Sequence, residues 1–251
     1  MEKNLGIKWY DTIDSTNSQA ARELDTAPEG SVWIADFQTA GRGQRGNKWE
    51  GKKGENLTFS ILFKPRGFLA TRQFELSEVV ALGVVNYLST KGIQAKVKWP
   101  NDIYVGDRKI CGILIENSVR DGMLSSSLVG IGLNVNQTRF PDSLPNPTSM
   151  LLINPDNEGI VLSPLLERFM DIFKSYCRRY LNITGGLNRL RMLYLGQIWH
   201  KDMTARYIDN SDGHEFTGII RGISEIGHLL VEDTEKGELR EFAFKEISYI
   251  V

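Results

Sequence analysis

An α+β fold followed by a small all-β module is what this 251-residue sequence predicts. Three observations carry that reading. Strand-like and helix-like stretches alternate irregularly up to about residue 195, with no repeating βα unit. From Gly196 onward the helical spacing stops, and short β-rich runs are separated by glycine and acidic turns. The length is enough for one large domain and one small one. The expected division is residues 1–195 and 196–251.

Taken in order, IKWYDTIDSTN reads as a strand ending in a polar loop. Asp14, Ser15 and Thr16 offer caps for a short helix over Asn17–Leu24. Ser31–Gln38 and Asn56–Lys64 are β-branched and aromatic, hence strands, with a glycine-rich basic loop, Thr39–Glu55, between them. Gln73–Lys91 carries apolar residues at helical spacing and stops at Gly92. Lys96–Trp99 is a short strand cut by Pro100. Asp102–Val105 and Lys109–Glu116 pair through a turn at Gly106-Asp107, and Leu124–Asn134 is a further strand. Ser163–Leu181 is amphipathic, with Ser163 as cap and Pro164 in the first helical position. A last helix covers about Leu187–Leu195. MTARYID, HEFTGIIRGI, GHLLVED and ELREFAFKEISYIV form the terminal β module.

Composition narrows the function classes. Lys and Arg number 30 and Asp and Glu 31, for a net charge of −1. No broad positive field is available to grip DNA or an anionic membrane. Cys111 and Cys177 are isolated, and His200, His214 and His228 are scattered, so no built-in metal site is expected. The N-terminus lacks an apolar signal region, and no run of about 18 apolar residues could span a bilayer. A cytoplasmic location is the expectation.

Two segments carry chemistry. In QTAGRGQRGNKW, Gly41, Gly43 and Gly46 permit close backbone approach, while Arg42, Arg45 and Lys48 add positive charge. Backbone N–H groups with guanidinium forks suit a phosphate or carboxylate. The spacing also satisfies G-x-G-x-x-G, but the residues that follow cannot form the helix a dinucleotide site requires. In KWPNDIYVGDRKICGILIE, Asn101 and Asp102 follow Pro100 at a strand edge. Lys109 leads an apolar strand in which Gly112 allows close approach. A lysine so placed can neutralise charge developing on a carboxylate or phosphate.

With DSTN at Asp14–Asn17 and GIGLNVN at Gly130–Asn136, these segments stand in one order. The set resembles the biotin–protein ligase family, the biotin–acetyl-CoA-carboxylase ligases, from about residue 7 through the β module. The resemblance implies a mixed-sheet catalytic domain related to class II tRNA synthetases and lipoyl ligases, followed by an SH3-like barrel. It implies ATP and biotin as substrates, Mg²⁺ bound with ATP, and the biotin carboxyl carrier domain of a carboxylase as partner. DNA and membrane are not expected partners. The chain itself would be a monomer or homodimer.

By the same resemblance, Ser15, Thr16 and Gln38 would bind the polar ring end of biotin. Gly41, Gly112 and Gly130 would let backbone approach it. Arg42 would meet the biotin carboxylate and the phosphate, and Lys109 would bridge them. Gln44, Arg45, Trp49 and Asn134 would face ATP or the adenylate, with Trp49 and Asn134 near the adenine. Asp102 would sit where the acceptor lysine arrives. Two departures stand out. Gln44 replaces a common arginine and brings no charge. Lys245 stands where the family has a glycine.

Overall fold

The computed structural model of the chain describes residues 6–156, 159–181 and 186–250. Its centre is a seven-stranded mixed sheet of β1 (Ile7–Ile13), β2 (Val32–Gln38), β3 (Asn56–Phe63), β4 (Lys96–Lys98), β5 (Asp102–Val105), β6 (Arg108–Arg120) and β7 (Met123–Asn134). The strand order is β1-β2-β3-β7-β6-β5-β4. Only β1 and β2 run parallel; every other neighbouring pair is antiparallel.

The two faces of this sheet are made of different residues. On one face Cys111, Ile113, Val129, Ile131, Leu133, Leu57, Phe59 and Ile61 are buried. They pack under helices α2 (Gln73–Ser89) and α4 (Leu162–Tyr176), with α3 (Met150–Ile153) beside them. Phe59 meets Phe169 edge-on at 5.5 Å. The other face carries the short helix α1 (Thr16–Arg22), which seals Ala20 over Trp33, Leu62 and Leu128. The rest of that face is open and is described below.

Several expected boundaries move. Helix α1 begins at Thr16 because Ser15 is its cap, accepting from the Ser18 N–H at 3.5 Å. Ser163 is not the cap of α4. Val161 holds that position, Leu162 opens the helix, and Pro164 falls in the first turn, where its missing N–H costs nothing. The helix ends at Tyr176 and continues as a π-helical turn, Cys177–Leu181. Strand β6 runs four residues past Glu116, to Arg120. Asp121 and Gly122, at φ 53° and 73°, turn it into β7, an Asp-Gly hairpin signal of the type I′ kind.

Helix α5 (Gly186–Leu195) leads to β8 (Thr204–Asp209), β9 (Glu215–Ile223), β10 (Leu229–Asp233), β11 (Glu238–Phe242) and β12 (Ile247–Ile250). These form a second sheet, ordered β11-β10-β9-β8-β12. Gly218 is needed here, since a Cβ would press on Val231 at 2.7 Å. The second sheet shares one continuous apolar core with the first. Trp99 Nε1 donates to Gly227 O at 3.0 Å, and Trp99 and Phe244 rings meet at 5.2 Å. Arg191 of α5 pairs with buried Glu78 of α2 and also donates to the Ser224 carbonyl at 2.5 Å. Desolvation raises the Glu78 carboxyl to about 7, with Arg191 opposing that rise. Lys245 has φ 86°, so the residue in the glycine position keeps the backbone of a glycine.

Candidate active site

The open face is a cavity of about 340 Å³, and sheet register explains its shape. Lys98, Asp102, Gly112, Gly132 and Thr58 are successive cross-strand partners. Leu114, Gly130 and Ser60 form the next row on the same face. Side chains in such rows project together. Three glycines therefore leave a floor of bare backbone. The Trp49 indole lies directly on that floor: a Cβ on Gly132 would collide with it, and one on Gly112 would lie 3.0 Å from it.

The basic loop folds over this floor as a small hairpin. Arg42 and Lys48 form a β-bridge around a turn at Gln44–Gly46, with Gly43 N–H bonded to Asn47 O at 2.7 Å. No helix follows the glycines, as the residue content implied. Gly41 is pressed against the Trp49 backbone, where any Cβ would clash. Arg42 reaches across the cavity rim to Glu116, with contacts of 2.5 and 3.1 Å. Asn17 donates to the same carboxylate at 2.8 Å. Behind it Ser60 bonds Asn17 Oδ1 at 2.5 Å and Thr16 Oγ1 at 2.8 Å, and Thr16 N–H donates to Gln38 Oε1 at 2.7 Å. A polar chain thus links the Gln38 end to the cationic loop.

At the other end Lys109 Nζ lies 2.7 Å from Asp102 Oδ1, and 5.9 Å from the Trp49 ring centroid. Its backbone is clamped from both sides. Lys109 N–H donates to Asn146 O, and Thr148 N–H donates to Lys109 O, both at 2.8 Å. The far wall comes from the second sheet: Ile247, Ser248 and Tyr249 line the cavity with Lys98.

The expected residues mostly converge. Ser15, Thr16, Gln38, Arg42, Gln44, Trp49, Asp102, Lys109, Gly112 and Gly130 all line this one cavity. Gly41 supports the Trp49 backbone from just outside. Asn134 does not line it. It is buried at the end of β7, and its amide donates to Thr148 O at 2.9 Å, so it reaches Lys109 only through the clamp. The Arg45 backbone lies in the loop turn, and its side chain is outside the described residues. Sequence reasoning missed Ser60, Glu116, Gly132, Lys98 and the second-sheet wall. Their roles depend on register between distant strands, although Lys98, Glu116 and Gly132 sit inside the recognised motifs. Among the described residues, no group of three or more His, Cys, Asp or Glu side chains is arranged to hold a metal. No helix there is long and apolar enough to cross a membrane.

Comparison with known proteins agrees with this geometry. The family model described as "Biotin/lipoate A/B protein ligase family" matches residues 9–135. The bifunctional ligase/repressor BirA of Bacillus subtilis is 31% identical over 234 residues, covering 90% of this chain and 69% of that protein. The biotin–[acetyl-CoA-carboxylase] ligase of Paracoccus denitrificans is 30% identical over 227 residues, covering 87% and 90%. A structure of biotin protein ligase from Aquifex aeolicus in complex with biotin and ATP superposes with a TM-score of 0.78 at 25% identity, covering 97% of each chain. The chain belongs to the biotin/lipoate A/B protein ligase family, and within it to the biotin–protein ligases.

Proposed function

We propose that this chain attaches biotin to a specific lysine of a biotin carboxyl carrier domain, through biotinyl-5′-AMP. One observation carries the reading. Lys109, Arg42 and Asp102 line a single cavity with Ser15, Thr16 and Gln38, over a floor of glycine. Polar groups for a ureido ring, cations for a carboxylate and phosphate, and a carboxylate for an incoming amine then lie in sequence along one trough.

In the first step a biotin carboxylate oxygen attacks the α-phosphorus of ATP, and the bond to the leaving pyrophosphate breaks. Two anions must meet, and Arg42 and Lys109 offset their repulsion in an enclosed site. Both must first turn from their resident carboxylates, Glu116 and Asp102, toward the ligand. Mg²⁺ accompanying ATP would supply further charge neutralisation, and Arg42 and Lys109 supply it from the protein side. In the second step a neutral lysine amine attacks the acyl carbon, the acyl–phosphate C–O bond breaks, and AMP leaves. Asp102, released from Lys109, orients the amine or takes its proton. Trp49, Gln44 and Arg45 belong to the nucleotide side in this scheme, and Asn134 acts from behind through Thr148 and the Lys109 clamp. The loop from Thr39 to Glu55 keeps water from the adenylate.

The division of labour proposed is a catalytic domain at 1–195, related to class II tRNA synthetases and lipoyl ligases, and an SH3-like domain at 196–251. The partner is a carboxylase carrier domain. The enzyme works in the cytoplasm, as a monomer or homodimer and without DNA. ATP–pyrophosphate exchange tests the chemistry: biotin should support it and lipoate should not. Exchange driven equally by lipoate would move the assignment to a lipoyl ligase of the same superfold.

A further inference from the structure

The cations of the cavity differ in what they already hold. Arg42 is paired with Glu116, and Lys109 with Asp102. Lys98 has no carboxylate partner among the described residues. Its ammonium sits between three rings instead, 4.7 Å from the Tyr104 centroid, 5.1 Å from Trp199 and 4.9 Å from Tyr249. One hydrogen bond, to Tyr104 Oη at 3.2 Å, engages one of its three donors. Two of those rings belong to the segment after α5. Trp199 is itself fixed by its Nε1 bond to Gly106 O at 2.9 Å.

Register puts this group next to the chemistry. Lys98 is the direct cross-strand partner of Asp102, and both line the cavity. The ring faces hold the ammonium by attraction without neutralising it. Such a cage leaves a positive charge, with donors free, at the reacting end of the trough.

We infer that Lys98 is a third catalytic cation, which contacts an anionic phosphate oxygen of the adenylate, and that Tyr104, Trp199 and Tyr249 are positioning residues for it. The inference rests on the ligase reading above. It gives the second sheet a part in the first step: Tyr249 places a charge that the catalytic sheet carries. Unlike Arg42 and Lys109, Lys98 meets the phosphate without leaving a carboxylate behind. The charged and titratable groups facing it are Asp102, Asp107 and Lys109, with Tyr104 and Tyr249 presenting their rings. Burial pushes the ammonium below the ordinary lysine range, and Asp102 pulls it back.

The test uses the whole chain and biotin-dependent ATP–pyrophosphate exchange, with KM for biotin and ATP and the melting temperature measured for each variant. Lys98→Met keeps a stem that packs among the rings and removes the charge. It should slow exchange on the order of tenfold to a hundredfold, with KM for biotin unchanged. Lys98→Arg should recover part of the loss. Tyr249→Leu should slow exchange in the wild-type background and add nothing in Lys98→Met, because both act through one ammonium. If Lys98→Met turns over like the wild type, or if Tyr249→Leu adds its full effect in the Lys98→Met background, the inference is wrong. Variants that melt earlier but, where folded, react at the wild-type rate would also overturn it, because Lys98 would then only fasten the two sheets. A wild-type chain without biotin-dependent exchange would bring down the ligase reading itself.

Discussion

Two ion pairs in this molecule have opposite purposes. Glu78 and Arg191 meet in the core between α2 and α5, with the Glu78 side chain 1% exposed. Arg42 and Glu116 meet at the cavity rim, with side chains 47% and 34% exposed. The first pair is enclosed, and its arginine also holds carbonyls of the second sheet. The second lies where a ligand carboxylate could take the place of Glu116. Burial makes one pair a fixture, and exposure lets the other be exchanged.

Breaking each pair should therefore read out differently. Arg191→Met strands a buried carboxylate and drops the bonds to the Ile223, Ser224 and Glu225 carbonyls. A loss of about 3–5 kcal/mol in urea unfolding is expected. Lys109→Ala acts on the reaction alone: adenylate formation should fall by about 2.7–4 kcal/mol in barrier, a hundredfold or more, with stability little changed. Unchanged pyrophosphate release in that variant would remove Lys109 from the mechanism.

Glu78 also has a pH signature. Its carboxyl is raised to about 7 in the fold, from a starting value of 4.5. Between those values the folded state holds a proton that the unfolded state has lost, so stability should decline as pH rises from 4.5 to 7. Glu78→Gln should flatten that part of the curve. Glu116→Gln should leave stability within about 1 kcal/mol, as for an exposed pair. Freed from a competing carboxylate, Arg42 should lower KM for biotin by roughly twofold to fivefold. A rise in KM would instead make Glu116 a support for Arg42. The smallest effect lies away from both pairs. Lys245→Gly relieves a left-handed backbone at φ 86°, and should stabilise by up to about 1 kcal/mol in the same urea titration.

The same contrast marks what could be read before the structure. Local signals were sufficient for most strands and helices, because turn chemistry and periodicity act within a few residues; the glycine loop and Lys109 were singled out only by the ordered set of motifs and its resemblance. The extension of β6 was missed because Asn117 and Ser118 look like a loop. Their strand exists through pairing with Ser127 and Ser126. Glu78 and Arg191 stand 113 positions apart, and nothing in either segment names the other. Lys98 was hidden likewise, since its three rings come from β5, the linker after α5, and β12. Asn134 was placed beside a ligand by motif alone, whereas its amide is engaged by Thr148.

The central claim is that one trough activates a carboxylate and passes it to a protein amine. Incubating the chain with biotin, ATP, Mg²⁺ and a carboxylase carrier domain, then taking the intact mass of the carrier, tests it directly. The account predicts a gain of one biotinyl group, abolished by replacing the carrier's acceptor lysine with arginine and strongly reduced by Lys109→Ala. A carrier whose mass never changes while the chain still binds biotin and ATP would contradict it.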